Sequence, residues 1–176
     1  LVGSEMCIRD RNMEEAAYCM EQATDRCKMY CGEKNQMYSA MSEELARMYN
    51  AAGRREESLA CHLAVRNQML KNCYREGSML LMVDNNMSVV YLDLGRPEEA
   101  IPYLTEALDL AKENGLVGPA VAEPTWNLAR VYRALGDEEK EDIYLKAAVE
   151  GFRECYPPEH PKRIAAEQRL KERQGE

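Results

Sequence analysis

Cys27 and Cys31 stand four residues apart, on one face of any helix that holds them, and offer half of a thiolate metal site. The rest of the chain does little to complete it. Its only imidazoles are His62 and His160, and no second cysteine pair has ligand spacing. Cys61 and His62 are adjacent, so on a helix they point about 100° apart and cannot act as nucleophile and base. No Gly-rich phosphate loop, H-E-x-x-H or G-x-S-x-G motif occurs. The Glu pairs sit beside Lys or Arg, as on solvated helix faces. The sequence therefore predicts no catalytic residue, no metal ligands and no cofactor, and the chain is not read as an enzyme.

The composition narrows the remaining classes. The chain has 176 residues, of which 45% are hydrophobic and 31% charged, enough for one domain with a core. Ala, Leu, Glu, Arg and Met dominate, and these are helix formers, so the fold class is expected to be all-α. A net charge of −8 is a poor match to nucleic acid, whose phosphates need a basic surface. There is no apolar run of membrane-spanning length. Seven cysteines, an odd number at irregular spacing, read as reduced thiols packed as small apolar groups rather than as a disulfide framework. That reading points, through the thiols alone, to a cytoplasmic protein.

Three segments align on a glycine: LARMYNAAGRREESL at Gly53, MSVVYLDLGRPEEAI at Gly95 and LARVYRALGDEEKED at Gly136. The intervals are 42 and 41 residues. Each segment has a Tyr four residues before the Gly (Tyr49, Tyr91, Tyr132), and a small residue three before that (Ala46, Ser88, Ala129). Leu80, Val83, Met87, Tyr91 and Leu94 form one apolar stripe at helical spacing. Gly95 follows where a left-handed cap wants glycine, and Pro97, Glu98 and Glu99 start the next helix. Ala100, Leu104, Ala107 and Ala111 make the stripe of that second helix. Each unit is thus a helical hairpin that buries its faces only by stacking on neighbours.

EEAAYCMEQA at Glu14–Ala23 matches EEAIPYLTEA at Glu98–Ala107, an offset of 84 residues, so a repeat's second helix is expected there with a turn at Arg11. The predicted organisation is an orphan helix over 12–34, hairpins over 35–75, 76–115 and 116–156, and a capping helix over 157–176. Pro102 and Pro124 fall inside helices and predict a local bend or a delayed start.

These residues resemble the tetratricopeptide repeat. WNLARVYRALGD at Trp126–Asp137 and YLDLGRPEEAIPYLTEAL carry the resemblance. The 41–42-residue period is similar to the longer subclass found in kinesin light chains and many bacterial proteins, and EEAIPYL and YPPEHP echo its second helix and loop. Ser58, His62 and Glu141 depart from the apolar pattern. The resemblance covers residues 12–174. It implies a right-handed superhelical α-solenoid of antiparallel hairpins, truncated at its N-terminus.

The resemblance also implies that the first helix of each hairpin lines a concave face that binds a peptide or protein segment. Residue by residue, that face holds Glu43, Glu44, Arg47 and Asn50. Asn85, Asn86, Val89 and Asp93 form the second row, and Trp126, Asn127, Arg130 and Arg133 the third. Asn86 and Asn127 match an inner Asn that bonds a peptide backbone, and Arg130 with Arg133 would hold its carboxylate. Glu43 and Glu44 interrupt the pattern. Trp126 is an anchor if exposed and repeat core if buried. The implied partner is a protein or peptide, neither nucleic acid nor membrane. The alternative is a regulatory module of a larger protein, such as a transcription regulator or an enzyme.

Residues 1–10, LVGSEMCIRD, fit none of this pattern. They read as the in-frame translation of a transposase adaptor used in sequencing libraries, so residues 1–11 are taken as non-native and ill supported. Without residues 1–10 the chain has 22 basic and 29 acidic residues, a net charge of −7.

Overall fold

The computed structural model describes residues 2–71 and 78–175, with side chains at 12–71 and 79–175. Among the described residues there are eight helices and no strand, an all-α helical-repeat fold. They are α1 (Val2–Cys31), α2 (Gln36–Ala51), α3 (Arg55–Lys71), α4 (Ser78–Asp93), α5 (Pro97–Glu113), α6 (Pro119–Leu135), α7 (Glu138–Cys155) and α8 (Pro161–Gln174). Two compact units, Leu1–Arg75 and Glu76–Glu176, divide the chain where the first and second hairpins were expected to meet.

One boundary corrects the sequence reading. α1 runs unbroken from Val2, through Arg11 where a turn was expected. The cause is local: neither Gly nor Pro occurs between residues 4 and 31, so nothing stops the helix. Of the two outcomes expected at the internal prolines, the delayed start does not occur. α5 and α6 begin at Pro97 and Pro119, with Pro102 and Pro124 in their second turns. Each proline removes one backbone bond there without displacing the start.

The three hairpins close by one device. Arg54, Arg96 and Asp137 donate their backbone N–H to the carbonyls of Tyr49, Tyr91 and Tyr132 at 2.8, 2.9 and 3.0 Å. The preceding glycines, with φ of 80°, 72° and 73°, bond back to Asn50, Leu92 and Arg133. This paired bonding around a left-handed residue satisfies carbonyls the helix end would leave open, and it requires glycine. A cation then covers each tyrosine: Arg54 lies 4.3 Å from the Tyr49 ring, Arg96 5.3 Å from Tyr91 and Lys140 4.9 Å from Tyr132.

In the second unit the tyrosines also pair across each hairpin. Tyr91 stacks on Tyr103 at 5.6 Å and Tyr132 on Tyr144 at 5.4 Å. The predicted stripes are core: Leu80, Val83, Met87, Ala100, Leu104, Ala107 and Ala111 are fully buried. Where α6 crosses α7, Gly151 approaches Ala122 so closely that an added Cβ would stand 2.9 Å from the alanine Cβ. Gly151→Ala is expected to force these helices apart and to cost about 1–3 kcal/mol. A urea denaturation midpoint checks it.

α8 docks on α7 through Ala166, which is buried, and through charge. Arg173 reaches Asp142 at 2.8 Å and Glu138 at 3.3 Å, while Glu167 takes Arg153 at 2.8 Å and Arg163 at 3.2 Å. The Arg173 guanidinium holds the Asp142 carboxyl below its ordinary value, and Arg153, then Arg163, do the same for Glu167. A carboxylate lowered in the folded state stabilises it above the ordinary carboxylate range and loses that contribution as pH falls through its folded value. Thermal midpoints should therefore fall as pH drops below about 4. The fall should be shallower in Arg153→Ala and Arg173→Ala, as circular dichroism melts at stepped pH will show.

Candidate functional site

The second unit supplies the strongest cluster of recognition chemistry. α4 and α6, the first helices of consecutive hairpins, pack side by side. Asn85 and Asn127, 42 residues apart, meet between them: Asn127 Nδ2 donates to Asn85 Oδ1 at 2.8 Å. Both are buried. Asn127 Oδ1 in turn accepts from Arg130 Nη1 at 3.0 Å. The sequence placed Asn127 in direct contact with a peptide. The geometry buries Asn127 and engages both its polar atoms, Nδ2 with Asn85 and Oδ1 with Arg130.

Arg130 is half-buried, and loss of water pulls its guanidinium below its ordinary value, with the Asp93 carboxylate opposing. A desolvated cation of this kind gains from an approaching anion. Arg133, one turn on, is exposed. Arg169 arrives from α8, its guanidinium gripped by the buried Glu141 at 2.7 and 3.1 Å. Trp126, Arg130, Arg133, Arg169 and the acid Glu141 line a hollow of about 80 Å³. Trp126 divides its roles: half-buried, it packs against the core and tilts onto Phe152 at 6.4 Å, yet also forms a wall of the hollow. Asn86 and Val89 are half-buried on α4.

The first unit departs from the expected row. Glu43 is buried, its Oε2 2.8 Å from His62 Nδ1, so it presents no charge to solvent. Glu44 pairs with Arg47 at 2.7 Å on the surface, and Asn50 is half-buried. Arg47 and Asn50 therefore share no cluster comparable to the arginines of the second unit. Arg169 escaped sequence reasoning because the last helix was read only as a solvated cap. The available signal was Glu141, an acid where the repeat wants Ala, which needs a cation from a neighbouring element.

Among the described residues no group of three or more His, Cys, Asp or Glu side chains is arranged to hold a metal ion. Cys27 is buried and Cys31 exposed, and burial with the adjacent Cys31 raises the Cys27 thiol above its ordinary value. No described helix is long and apolar enough to cross a membrane.

Residues 79–170 match a tetratricopeptide repeat family model, and the chain belongs to that family. Two solved structures of a Podosopora anserina protein, described as a kinesin light chain with nearly identical TPR-like repeats, are similar to it. They are 23% identical over 95% of this chain and 82% of that one, with TM-scores of 0.77 and 0.75. The structure of BtubC (BKLC) from P. vanneervenii is 17% identical over 93% of this chain and 74% of that one, with a TM-score of 0.73. A comparison with curated proteins gives no match. Repeats of this family are in general non-catalytic scaffolds for protein–protein interaction.

Proposed function

We propose that the chain binds a peptide or protein segment on the face formed by α4, α6 and Arg169 of α8, and that a carboxylate of the partner enters the arginine hollow. The observation that carries this reading is the convergence of Arg130, Arg133 and Arg169 on one small cavity walled by Trp126. Guanidinium groups recognise carboxylates by paired hydrogen bonds, and an aromatic wall excludes water from them. Asn86 and Val89 on α4 extend the same face toward the rest of the segment. The buried Asn85–Asn127 bond supports it by fixing Arg130 before the partner arrives, which lowers the entropy lost on binding.

The test is a peptide array carrying acidic side chains and free C-termini, probed with the full chain and then with Arg130→Ala plus Arg133→Ala. Array hits should weaken by about tenfold or more in the double variant, as expected for two charge-assisted contacts. Asn127→Ala should weaken the same hits by a smaller factor, since it removes only the support of Arg130. Hits that bind both variants at full strength would refute the arginine hollow as the docking point.

A further inference from the structure

The first unit holds a polar cleft that the corresponding hairpin of the second unit fills. In the α6/α7 hairpin Gly151 closes on Ala122, and Tyr144 stacks on Tyr132. In the register of the repeat, Gln68 replaces Gly151, Ser39 replaces Ala122 and Cys61 replaces Tyr144. One change props the crossing open with a side chain, and another withdraws a ring. Between the end of α1, the first half of α2 and the second half of α3 there remains a cleft of about 700 Å³. That volume lies in the range of small-molecule sites.

Its lining is rich in donors. Lys28, Lys34 and Lys71 face a single acid, Glu33, which is taken by Lys28 at 2.5 Å. No described acid pairs with Lys34 or Lys71. Ser42 is 4% exposed, and its Oγ, on the cleft wall, meets no hydrogen-bond partner among the described residues. The same holds for the buried Nε2 of Gln68. An unbonded buried hydroxyl and amide are costly to a fold, and a water, an ion or a ligand that completes them removes that cost. Ala64 and Val65 supply an apolar wall between the polar groups.

We propose that this cleft binds a small organic anion bearing carboxylate or phosphate groups. Lys34 and Lys71 supply the charge, and Ser42 and Gln68 the buried hydrogen bonds. In a chain of net charge −8 this cationic pocket stands apart from the surrounding surface. Cys61 takes no covalent part: burial and then the Glu43 carboxylate push its thiol up to about 11, and it donates to the Ser42 carbonyl at 3.1 Å. The site lies within the first unit and does not depend on the peptide reading of the second.

Calorimetric titration of the full chain with citrate, and separately with adenosine monophosphate, tests the proposal and distinguishes carboxylate from phosphate recognition. At least one probe should bind saturably at up to about 10 mM. Lys34→Glu plus Lys71→Glu, both on exposed positions, should weaken that probe about tenfold or more while the circular dichroism melt is unchanged. Ser42→Ala should weaken the probe as well, but should leave the melting temperature of the unliganded chain unchanged or raised, because it deletes an unbonded buried hydroxyl. A purely structural serine would give the reverse pattern. No saturable binding of either probe, or binding that survives the lysine reversals, overturns the proposal.

Discussion

His62→Leu is expected to destabilise the chain by about 3–5 kcal/mol, more than deletion of any single surface ion pair. The position is one where the repeat places an aliphatic residue, as Leu104 and Leu145 show, so the substitution restores the family pattern. Pattern alone predicts a gain. The structure predicts a loss, because Glu43 is 2% exposed and its carboxylate stands 2.8 Å from the imidazole. Removing His62 takes from the buried Glu43 carboxyl its contact with the imidazole, in a medium that solvates polar groups poorly. The remedy is to change both. Glu43→Asn with His62→Leu gives the first hairpin the residues of the second, Asn85 and Leu104, and is expected to recover most of the loss. Urea unfolding of the two singles and the double forms a cycle whose coupling should be strongly favourable. If the leucine single is as stable as the parent, the pair carries no weight in the fold.

The same residues show what a sequence can and cannot reveal. The hairpins were legible because each local signal agreed: an apolar stripe of helical period, a tyrosine, a glycine four residues later, then acids. Gly53, Gly95 and Gly136 are left-handed, as that pattern demands. The start of α1 was not legible, because the repeat template outweighed the absence of any helix breaker near Arg11. Polar residues are the harder case. Glu43, Asn85 and Asn127 occupy inner-face positions, and periodicity cannot tell a solvated polar group from one satisfied by a neighbouring helix. Asn85 and Asn127 are 42 residues apart where the repeat interval from Gly95 to Gly136 is 41, so they are not equivalent positions, and only the stacking of α4 on α6 shows that they meet. The cleft of the first unit was signalled by Gln68 and Cys61 standing where Gly151 and Tyr144 stand in the third hairpin.

Glu141 and Arg169 join stability to the proposed recognition face, and single substitutions of the two are expected to differ sharply. Arg169→Ala should cost about 3–5 kcal/mol, because it strips the partner from a carboxylate only 4% exposed. Glu141→Ala should cost only about 1 kcal/mol. Its alanine matches Ala100 in the second hairpin, and the guanidinium left behind is 20% exposed and already reaches Glu172 at 3.3 Å. The double variant should lie close to Glu141→Ala, since once the acid is gone the arginine has no buried charge to neutralise. Peptide binding should rank differently. Both Arg169→Ala variants lose a cation of the hollow and should weaken an acidic peptide. Glu141→Ala releases that cation from its internal acid and should bind the same peptide at least as well as the parent. Chemical denaturation gives the first ranking and peptide titration the second. Equal stability losses in the two singles would show that the pair acts through packing rather than through a buried charge. A loss of peptide affinity in Glu141→Ala would mean that Arg169 must be aimed by its acid to serve the hollow, just as Asn127 aims Arg130.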